Sequence, residues 1–344
     1  MIEFIKQTKI FSFFLLLLFF CPSNILLGSP IQREISFTGK TMGTYYSIKI
    51  MSGRDDIKPS VIKQDVDVRL KMVNKSMSCF LPQSEISRFN RTRAGEVFKI
   101  SNDFYYVMLQ SEKLFKLTNG AWDGTVKPLV DIWGFGTKKD IRKIPDKNEI
   151  KLLLRRTGFN KIIIKKDALE KKISSVTLDL ASIAKGYGVD AVGELLKNLG
   201  FNNFIVDIGG EVIAAGEKNH GHPWIIGISK PNDTFSFQMM YKKIKLRDRA
   251  IATSGDYRNF FQIKGRTYSH IINPATGYPI NNGVVSASVI AENCTFADGL
   301  ATALMVMGHK KGLKLVNRLK NTECLIIVKE KDGRLTNWES NNFH

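Results

Sequence analysis

Strand-like and helical segments are interspersed along this chain, without the strict strand–helix alternation that predicts a doubly wound parallel sheet. Residues 35–51 place β-forming side chains with a period near two around a short Gly-containing segment, which predicts strand, turn and strand. Residues 61–77 place apolar side chains every three or four positions, as a helix does. Ser101 is predicted to cap another helix that runs to about Leu117. The sequence therefore predicts an α+β fold.

The remaining predicted elements follow the same irregular order. They are a short helix or turn at 84–90, strands at 162–164, 177–180, 204–208, 224–228 and 325–329, and helices at 186–199, 296–307 and 311–319. The strand at 325–329 is expected to close the fold. A length of 344 residues fits one large domain or two fused lobes, and no Pro-, Gly- or Ser-rich linker separates two units.

Residues 1–28 have the features of a targeting segment. Two lysines precede an apolar run over residues 10–21, which is shorter than the roughly 20 residues of a transmembrane helix and matches a signal-peptide core. Cys21 ends the run where a bacterial lipoprotein carries its lipidated cysteine, and cleavage after Gly28 is the alternative. An uncleaved anchor is a third interpretation, because apolar residues continue beyond the run. The segment predicts export of a domain formed by residues 29–344.

The formal net charge of +19 is spread along the chain. A nucleic-acid-binding protein concentrates such charge in a stripe interleaved with aromatic residues. Here the lysines are scattered in pairs, which we interpret mostly as solvated faces: 138–139, 165–166, 171–172, 242–243 and 310–311. We therefore expect no nucleic-acid partner, although the excess favours anionic ligands such as a pyrophosphate, or an anionic membrane surface.

Cysteine usage indicates neither a disulfide framework nor a metal ribbon. Beyond the leader the chain holds Cys79, Cys294 and Cys324, an odd and sparse set. No CxxC pair is present, which argues against a zinc ribbon and a thioredoxin-like redox site.

Two segments in the first half of the chain contain small residues beside aromatic or soft side chains. In residues 41–44, glycine and threonine flank Met42, so the backbone can approach a ligand while Met42 offers a soft surface to an aromatic ring; an ordinary hairpin turn is the alternative. In residues 120–125, Trp122 precedes Asp123, an arrangement in which the indole stacks on a heteroaromatic ring and the carboxylate accepts an N–H. Trp133 fits a buried core position equally well.

A third segment, residues 178–190, is a Gly-containing entry to a helix with a nearby cation, Lys185. Such an arrangement commonly holds phosphate groups. The segment is not a Walker A loop, because the GxxxxGK[ST] pattern is missing. Asp190 falls within the predicted helix, where it caps or pairs.

Two segments near the C-terminus carry further candidate chemistry. A single histidine is more often structural than catalytic, but His270 lies between a serine and a Pro/Gly turn, a setting that shifts the interpretation toward a functional site. Asp298 and Thr302 are four residues apart and share one face of a predicted helix. A carboxylate and a hydroxyl are hard oxygen ligands suited to Mg²⁺, whereas the alternative for Asp298 is an N-cap. Together the segments predict a nucleotide-like cofactor with phosphate, metal and aromatic ring, without naming it.

The order and the amino-acid sequences of these segments resemble those of the ApbE family of FAD:protein FMN transferases. The matching segments are 41–44, 77–78 with 84–90, 121–125, 185–187, 207–211, 252–257, 269–274 and 297–302. The resemblance covers about residues 36–330, and eight segments in order are far more specific than any one. It implies an α+β fold of one large domain with two intimately packed lobes.

The resemblance also implies a set of site residues. FAD, as substrate, is expected to contact Met42, Phe80, Ala121, Trp122, Asp123, Asp179, Lys185 and Ile271. Mg²⁺ is expected at Asp298 and Thr302 with a backbone oxygen near Ser182, and the same metal segment includes Ala301, where some members have a second Asp. Phe80 stands where Tyr is usual, so its ring can stack but cannot donate a hydrogen bond. Catalytic roles are expected for His270, Asp298 and Lys185.

The activity implied by the resemblance is magnesium-dependent transfer of FMN from FAD to a Thr or Ser of a target flavoprotein, with release of AMP. The implied partners are subunits of membrane redox complexes. The implied location is the periplasmic side of the inner membrane, with possible lipid anchoring through Cys21. The alternatives are an FAD pyrophosphatase that passes FMN to water and a non-catalytic exported FAD-binding protein.

Overall fold

The computed structural model describes residues 33–136, 143–218, 221–231 and 240–343, which belong to one compact unit. The predictions for the leader, including lipidation at Cys21 and cleavage at Gly28, lie outside these residues. None of the helices within the described ranges combines the length and the apolar character needed to cross a membrane.

Strands and helices are interspersed in the described ranges, as predicted. The strands β1 to β15 are Arg33–Thr41, Thr44–Ser52, Phe98–Lys99, Ile162–Lys165, Ala168–Lys171, Phe204–Ile208, Glu211–Ala215, Trp224–Ser229, Met240–Leu246, Arg249–Gly255, Phe260–Ile263, Arg266–Ser269, Val284–Ala291, Glu323–Lys329 and Leu335–Glu339. The helices α1 to α8 are Pro59–Met77, Glu85–Arg91, Asn102–Leu117, Lys127–Ile132, Lys147–Leu154, Ala181–Asn198, Cys294–Met307 and His309–Val316. The α+β prediction is confirmed.

An eight-stranded sheet in the order β1-β2-β6-β7-β10-β13-β14-β15 lies at the centre of the fold. Each neighbouring pair in it is antiparallel. Smaller sheets are formed by β3-β5-β4, by β8-β9 and by β11-β12. The antiparallel pairing explains why no strict strand–helix alternation is visible in the sequence, since antiparallel neighbours need only short connections.

Both faces of the central sheet are covered. Helices α6 and α7 pack against one face, over β6, β7, β10 and β13. Because side chains alternate along a strand, Ala250 and Ala252 of β10 face this helical layer while Ile251 faces the opposite side. There the β8–β9 ribbon covers the sheet with Trp224 and Ile244. Small residues on the helical side let α6 and α7 lie close to the sheet.

The first two strands form the predicted hairpin. Thr41 pairs with Thr44, which leaves a two-residue turn at Met42 and Gly43. Both residues have positive φ, 48° and 72°, as the hairpin turns that match the twist of the flanking strands require. Glycine adopts this conformation without cost, whereas methionine does not. The turn therefore fixes the direction of the Met42 side chain at the expense of local backbone strain.

Helix starts at serine residues agree with the sequence. The Ser101 hydroxyl accepts from the Phe104 N–H and caps α3, which ends at Leu117 as predicted. Ser84 caps α2 in the same way through the Ser87 N–H. A side-chain oxygen that satisfies a free N–H in the first turn stabilises a helix by about 1 kcal/mol.

The prediction of a strand at residues 177–180 was wrong. The side-chain amide of Asn90 makes two hydrogen bonds to the backbone of Leu178. It accepts from the Leu178 N–H (2.7 Å) and donates to the Leu178 C=O (2.8 Å). The next N–H, of Asp179, donates to the Gly124 C=O at 2.7 Å. A side-chain amide and a loop thus supply the hydrogen bonds that a neighbouring strand would otherwise make.

Three other boundaries differ from the predictions. Helix α6 begins at Ala181, so Gly186 and Gly188 lie inside it and not at its entry. Helix α8 covers His309–Val316 and is displaced toward the N-terminus by two to three residues. Strand β14 does not close the fold, because β15 pairs with it along Leu335–Glu339.

The three described cysteines are free thiols. Cys294 and Cys324 are buried and Cys79 is half-buried. Burial raises the pKa of Cys79 and of Cys324 to about 12, and that of Cys294 well above its ordinary value.

Lys171 corrects the interpretation of the lysine pairs as solvated faces. Its residue is 0% exposed, whereas the neighbouring Lys172 is exposed. The Lys171 ammonium donates to the carbonyl oxygens of Asn90 (2.9 Å) and Thr92 (3.2 Å) and lies 5.2 Å from the centre of the Phe89 ring. It thereby fastens the end of α2 to β5. Burial lowers its pKa to about 8.

We expect this lysine to give the protein a distinctive pH dependence of stability. The pKa of Lys171 is about 8 in the folded state and 10.5 is its ordinary value, which applies to the unfolded chain. Below about pH 8 the buried charge therefore lowers the free energy of unfolding by its full amount, and this destabilisation disappears as the pH rises toward 10.5. Between about pH 7.5 and about pH 10, the unfolding free energy of the wild type should rise relative to Lys171→Met by about 2–3 kcal/mol. Urea unfolding at the two pH values measures this difference. The exposed Lys172→Met is the control, and equal pH slopes for wild type and Lys171→Met would contradict the assignment.

Candidate active site

Helices α6 and α7 come together at Gly186. A Cβ atom at this position would lie 2.3 Å from the Cys294 carbonyl oxygen and 2.8 Å from the Asp298 Cβ, so glycine is required by the close approach. The Gly186 N–H donates to Asp298 Oδ2 at 2.9 Å. The contact therefore holds the Asp298 carboxylate, which is 3% exposed, against the backbone of α6.

Lys185 lies between two carboxylates. Its Nζ is 2.7 Å from Glu211 Oε1 and 3.8 Å from Asp298 Oδ1. Its side chain is 29% exposed, whereas those of Glu211 and Asp298 are almost fully buried. The Lys185 ammonium group is thus held by two buried carboxylates and is itself partly exposed to solvent. In this position it can bind a negatively charged phosphate group.

Glu211 is a site residue that was not predicted from the sequence. It is the first residue of β7 and follows a tight turn in which Gly209 and Gly210 both have positive φ, 65° and 100°. The Asp207 carboxylate accepts from the Gly210 N–H and closes that turn. The sequence feature that could have identified Glu211 is its position directly after an Asp-x-Gly-Gly turn. Such a turn determines which way the first side chain of the next strand points.

Asp298 and Thr302 lie one turn apart on α7, as predicted. The N-cap of this helix is Asn293, whose side chain accepts from the Phe296 N–H. Asp298 is therefore not the capping residue, which removes the alternative interpretation of its role. The Thr302 hydroxyl lies 3.0 Å from the Ser254 hydroxyl of β10, so two segments singled out in the sequence meet here.

The fit of these residues to Mg²⁺ follows from their donor chemistry. The described ranges contain no cluster of three or more His, Cys, Asp or Glu side chains that could hold a metal ion. Asp298 and Thr302 nevertheless supply two hard oxygens, and Mg²⁺ usually takes only one or two carboxylates and fills its octahedron with water and substrate phosphate. The site fits a cation that shares its coordination with a bound phosphate, and it does not fit an all-protein cage.

Ala301 is the member of the predicted metal set that has no polar side-chain atom. It is 0% exposed and belongs to the main hydrophobic core. Its methyl group offers no ligand atom, and in the helix it faces the core. The side chain at position 301 therefore supplies no oxygen in place of the second carboxylate.

Residues 121–125 form a tightly bonded loop beside α6. The Trp122 indole N–H donates to the Ser182 hydroxyl at 3.1 Å, and the residue is 1% exposed. In this conformation the indole has no free face against which a ligand ring could stack, contrary to the sequence-based interpretation. The Asp123 carboxylate accepts from the N–H groups of Thr125 (2.8 Å) and Phe159 (3.2 Å). It organises the loop, while Ala121 is half-buried at its start.

Asp179 connects this loop with α6. Its N–H donates to the Gly124 C=O, and its Oδ1 accepts from the Ala181 N–H (2.9 Å) at the first residue of the helix. Burial raises the pKa of Asp179, and this hydrogen bond pulls in the opposite direction. Two segments that are far apart in the sequence are thus joined at the start of α6, the helix that carries Lys185.

Met42 and Phe80 are two further predicted flavin contacts, and they differ in exposure. A Cβ at Gly188 would lie 2.8 Å from Met42 Cε, so the hairpin turn places the methionine directly on α6. Phe80 is 75% exposed in the loop after α1. Of the two predicted aromatic contacts, Phe80 has an accessible ring and Trp122 does not.

His270 and Ile271 follow strand β12. The His270 ring Nδ1 lies 3.0 Å from the Asn259 carbonyl oxygen, and the residue is half-buried. The Phe135 ring meets the imidazole edge-on at 6.3 Å. Ile271 is 7% exposed, and its N–H donates to the Ser269 hydroxyl. The histidine is thus oriented by the backbone of the β11–β12 hairpin.

Asp190 is the remaining candidate from the sequence, and it caps a helix other than its own. One oxygen accepts from the Cys294 N–H (2.8 Å), and the other accepts from the N–H and hydroxyl of Thr295 (2.7 and 2.5 Å). Burial raises its pKa to about 6, and the hydrogen bonds from the α7 terminus oppose that shift.

The family model of the ApbE family matches residues 42–326. An FAD:protein FMN transferase of Vibrio cholerae is 42% identical over 315 residues, which cover 90% of this chain and 93% of that protein. This chain belongs to the ApbE family. A second relative within the family, an FAD:protein FMN transferase of Haemophilus influenzae, is 38% identical over 88% of this chain and 89% of its own length.

Solved ApbE structures have the same fold. The flavin transferase ApbE from Vibrio cholerae superposes with a TM-score of 0.82 at 39% identity, covering 91% of this chain and 98% of that one. The apo form of the flavinyl transferase ApbE of Pseudomonas stutzeri gives a TM-score of 0.82 at 34% identity, covering 90% and 95%. The sequence-based resemblance to the ApbE family is confirmed.

Proposed function

We propose that this chain is an FAD:protein FMN transferase. The observation that carries the proposal is the buried Asp298 carboxylate, held by the Gly186 N–H and 3.8 Å from Lys185, at the junction of α6 and α7. Its relatives of 42% and 38% identity carry that name and are matched over nearly their whole length. The site offers a cation and hard oxygens at one place, which suits a substrate with a pyrophosphate.

The proposed reaction exchanges the phosphoanhydride bond of FAD for a phosphoester bond to the target protein. The hydroxyl oxygen of a Thr or Ser of the target protein attacks the FMN phosphorus of FAD. The bond between that phosphorus and the bridging oxygen breaks, AMP leaves with the bridging oxygen, and the hydroxyl proton passes to a base. FMN then remains attached to the target by a phosphoester bond.

The chain's own residues would stabilise charge and position groups in this reaction. Asp298 and Thr302, with a backbone oxygen near Ser182, would hold Mg²⁺. That ion, when bound, neutralises the pyrophosphate oxygens. Lys185 presents its ammonium group to the same phosphates, and Glu211 keeps it in place at 2.7 Å. His270 is the proposed proton acceptor, because a histidine can take up a proton near neutral pH.

The flavin would lie between Met42 and the joined segments of residues 121–124 and Asp179. The accessible ring of Phe80 and the half-buried Met42 offer contact to an isoalloxazine, and Ile271 lies beside His270. The Trp122 ring supports the site from behind by its hydrogen bond to Ser182. Asp123 acts in the same indirect way through the loop that it holds.

The cellular setting is part of the proposal. The sequence of residues 1–28 supports export, with cleavage near Gly28 or lipidation at Cys21, and hence a place on the periplasmic side of the inner membrane. Targets there would be flavoprotein subunits of membrane redox complexes. The net charge of +19 suits both an anionic substrate and a position close to an anionic membrane.

The test is incubation of the purified mature chain with FAD and Mg²⁺, with and without an exported flavoprotein subunit that contains an acceptor Thr or Ser. We expect AMP release that depends on the subunit and on Mg²⁺, and a gain of one FMN in the mass of the subunit. AMP and free FMN in both mixtures would identify a pyrophosphatase. Tight FAD binding with no AMP in either mixture, using a subunit that a related transferase does modify, would identify a flavin-binding protein.

A further inference from the structure

A carboxylate on α6, Asp190, fastens the first turn of α7 from outside that helix. It accepts from two N–H groups and one hydroxyl of Cys294 and Thr295, at 2.8, 2.7 and 2.5 Å. An N-terminal helix turn has free N–H groups and a partial positive charge, so a carboxylate there is well placed. Because these bonds cross from one helix to the other, they fix where α7 starts relative to α6.

The same two helices meet again one turn away. Gly186 lies four residues before Asp190, on the same face of α6, and its N–H donates to Asp298 Oδ2 at 2.9 Å. Asp298 in turn lies four residues after Cys294 on α7. The bonds of Asp190 and of Gly186 are therefore two consecutive links between the helices, and the second link is the one that holds the proposed metal ligand.

We propose that Asp190 is a positioning residue, which sets the register between α6 and α7 and thereby aligns Asp298 and Thr302 with Lys185. This inference rests on the proposed function for the identity of the reaction. It assigns to Asp190 no contact with FAD or with the metal. Loss of the Asp190 hydrogen bonds would let the N-terminal part of α7, which carries Asp298, slide or tilt relative to α6. Small displacements of groups that position a substrate cost about 10²-fold in rate.

The chain offers a matched control in Asn293. Asn293 also caps α7, but its side chain accepts only from the Phe296 N–H of α7 itself, at 2.9 Å. Removing either cap leaves free N–H groups at the same helix end and should lower the Tm. Of the two capping residues, Asp190 belongs to α6 and Asn293 does not, so only the loss of Asp190 should disturb the site.

The experiment compares the wild type, Asp190→Ala, Asp190→Asn and Asn293→Ala in two ways. The first is the rise in Tm on addition of Mg²⁺ with inorganic pyrophosphate present in every sample and with neither FAD nor target, because the site fits a cation that shares its coordination with a phosphate group. The second is kcat and KM for FAD in the transfer assay. We expect Asp190→Ala to lose most of the Mg²⁺-induced rise and about 10- to 100-fold in kcat, with KM less affected. Asp190→Asn, which keeps one accepting oxygen and replaces the other by an NH₂ group, should be intermediate, and Asn293→Ala should keep both properties at a lowered Tm.

Equal losses of kcat in Asp190→Ala and Asn293→Ala would overturn the inference, since a general weakening of α7 would then suffice. An Asp190→Ala variant with wild-type kcat and Mg²⁺ response would overturn it as well. Should that variant not fold, Thr295→Val removes the hydroxyl bond of 2.5 Å to Asp190 and leaves both N–H bonds in place, and the same two readouts decide. A wild type that transfers FMN without any Mg²⁺-induced rise in Tm would overturn the metal assignment and this inference, but not the transferase activity.

Discussion

Asp298→Asn is expected to reduce FMN transfer by about 10³-fold, the equivalent of about 4 kcal/mol of transition-state stabilisation. Asparagine has nearly the same shape, and its side-chain oxygen can still accept from the Gly186 N–H that now bonds Oδ2. What the variant lacks is the negative charge that would hold Mg²⁺ beside the pyrophosphate. The effect should therefore appear in AMP release and target labelling, while the Tm without metal stays close to that of the wild type.

Thr302 provides the matched control for this prediction. Thr302→Ser keeps the hydroxyl near Ser254 and should keep most of the activity, whereas Thr302→Val removes the proposed second ligand. The activities should rank wild type, Thr302→Ser, Thr302→Val and Asp298→Asn, each measured over a range of Mg²⁺ concentrations. Full activity of Asp298→Asn or Asp298→Ala with an unchanged need for metal would contradict the assignment of this carboxylate.

Gly186→Ala is expected to destabilise the protein by about 3 kcal/mol and to impair transfer at the same time. The added methyl group would lie 2.3 Å from the carbonyl oxygen of Cys294. That atom belongs to the backbone of α7, so it can move only if the helix moves. The intrinsic preference of alanine over glycine in a helix, about 1 kcal/mol in the opposite direction, is too small to compensate. Urea unfolding and the AMP assay measure the two effects.

A second glycine of the same helix serves as the control. A Cβ at Gly193 would have its nearest neighbour, Ile213 Cγ2, at 3.4 Å, which is ordinary contact. Gly193→Ala should therefore be neutral or slightly stabilising and fully active. A Gly186→Ala variant as stable as Gly193→Ala would show that α6 and α7 are not held as closely as described.

Local patterns in the sequence predicted the elements whose hydrogen bonds are local. The β1–β2 hairpin, the Ser101 cap and helix α3 were predicted because the residues that determine them are neighbours in the chain. The strand at 177–180 failed for the opposite reason. Its backbone partner is the side chain of Asn90, 88 residues away along the chain, and no local pattern signals such a bond.

The candidate site divides in the same way. The segments around Met42, Lys185 and Asp298 were predicted, and the structure places them on elements that meet. Their assembly depends on long-range contacts that sequence patterns do not carry, such as the Glu211–Lys185 pair. Burial was equally hidden, because the sequence does not tell that Trp122 lies beneath the site or that Lys171 lies in the interior.

The buried thiols of Cys294 and Cys324 can report on local unfolding of the structure around them. Only thiolates react appreciably with alkylating reagents, and the raised pKa values of Cys294 and Cys324 leave almost none at neutral pH. Modification of the native protein must then wait until the surrounding structure opens. Cys294 lies at the first turn of α7 and Cys324 lies in the central sheet. The difference between their alkylation rates therefore separates opening of the helical layer from opening of the sheet, without any introduced label.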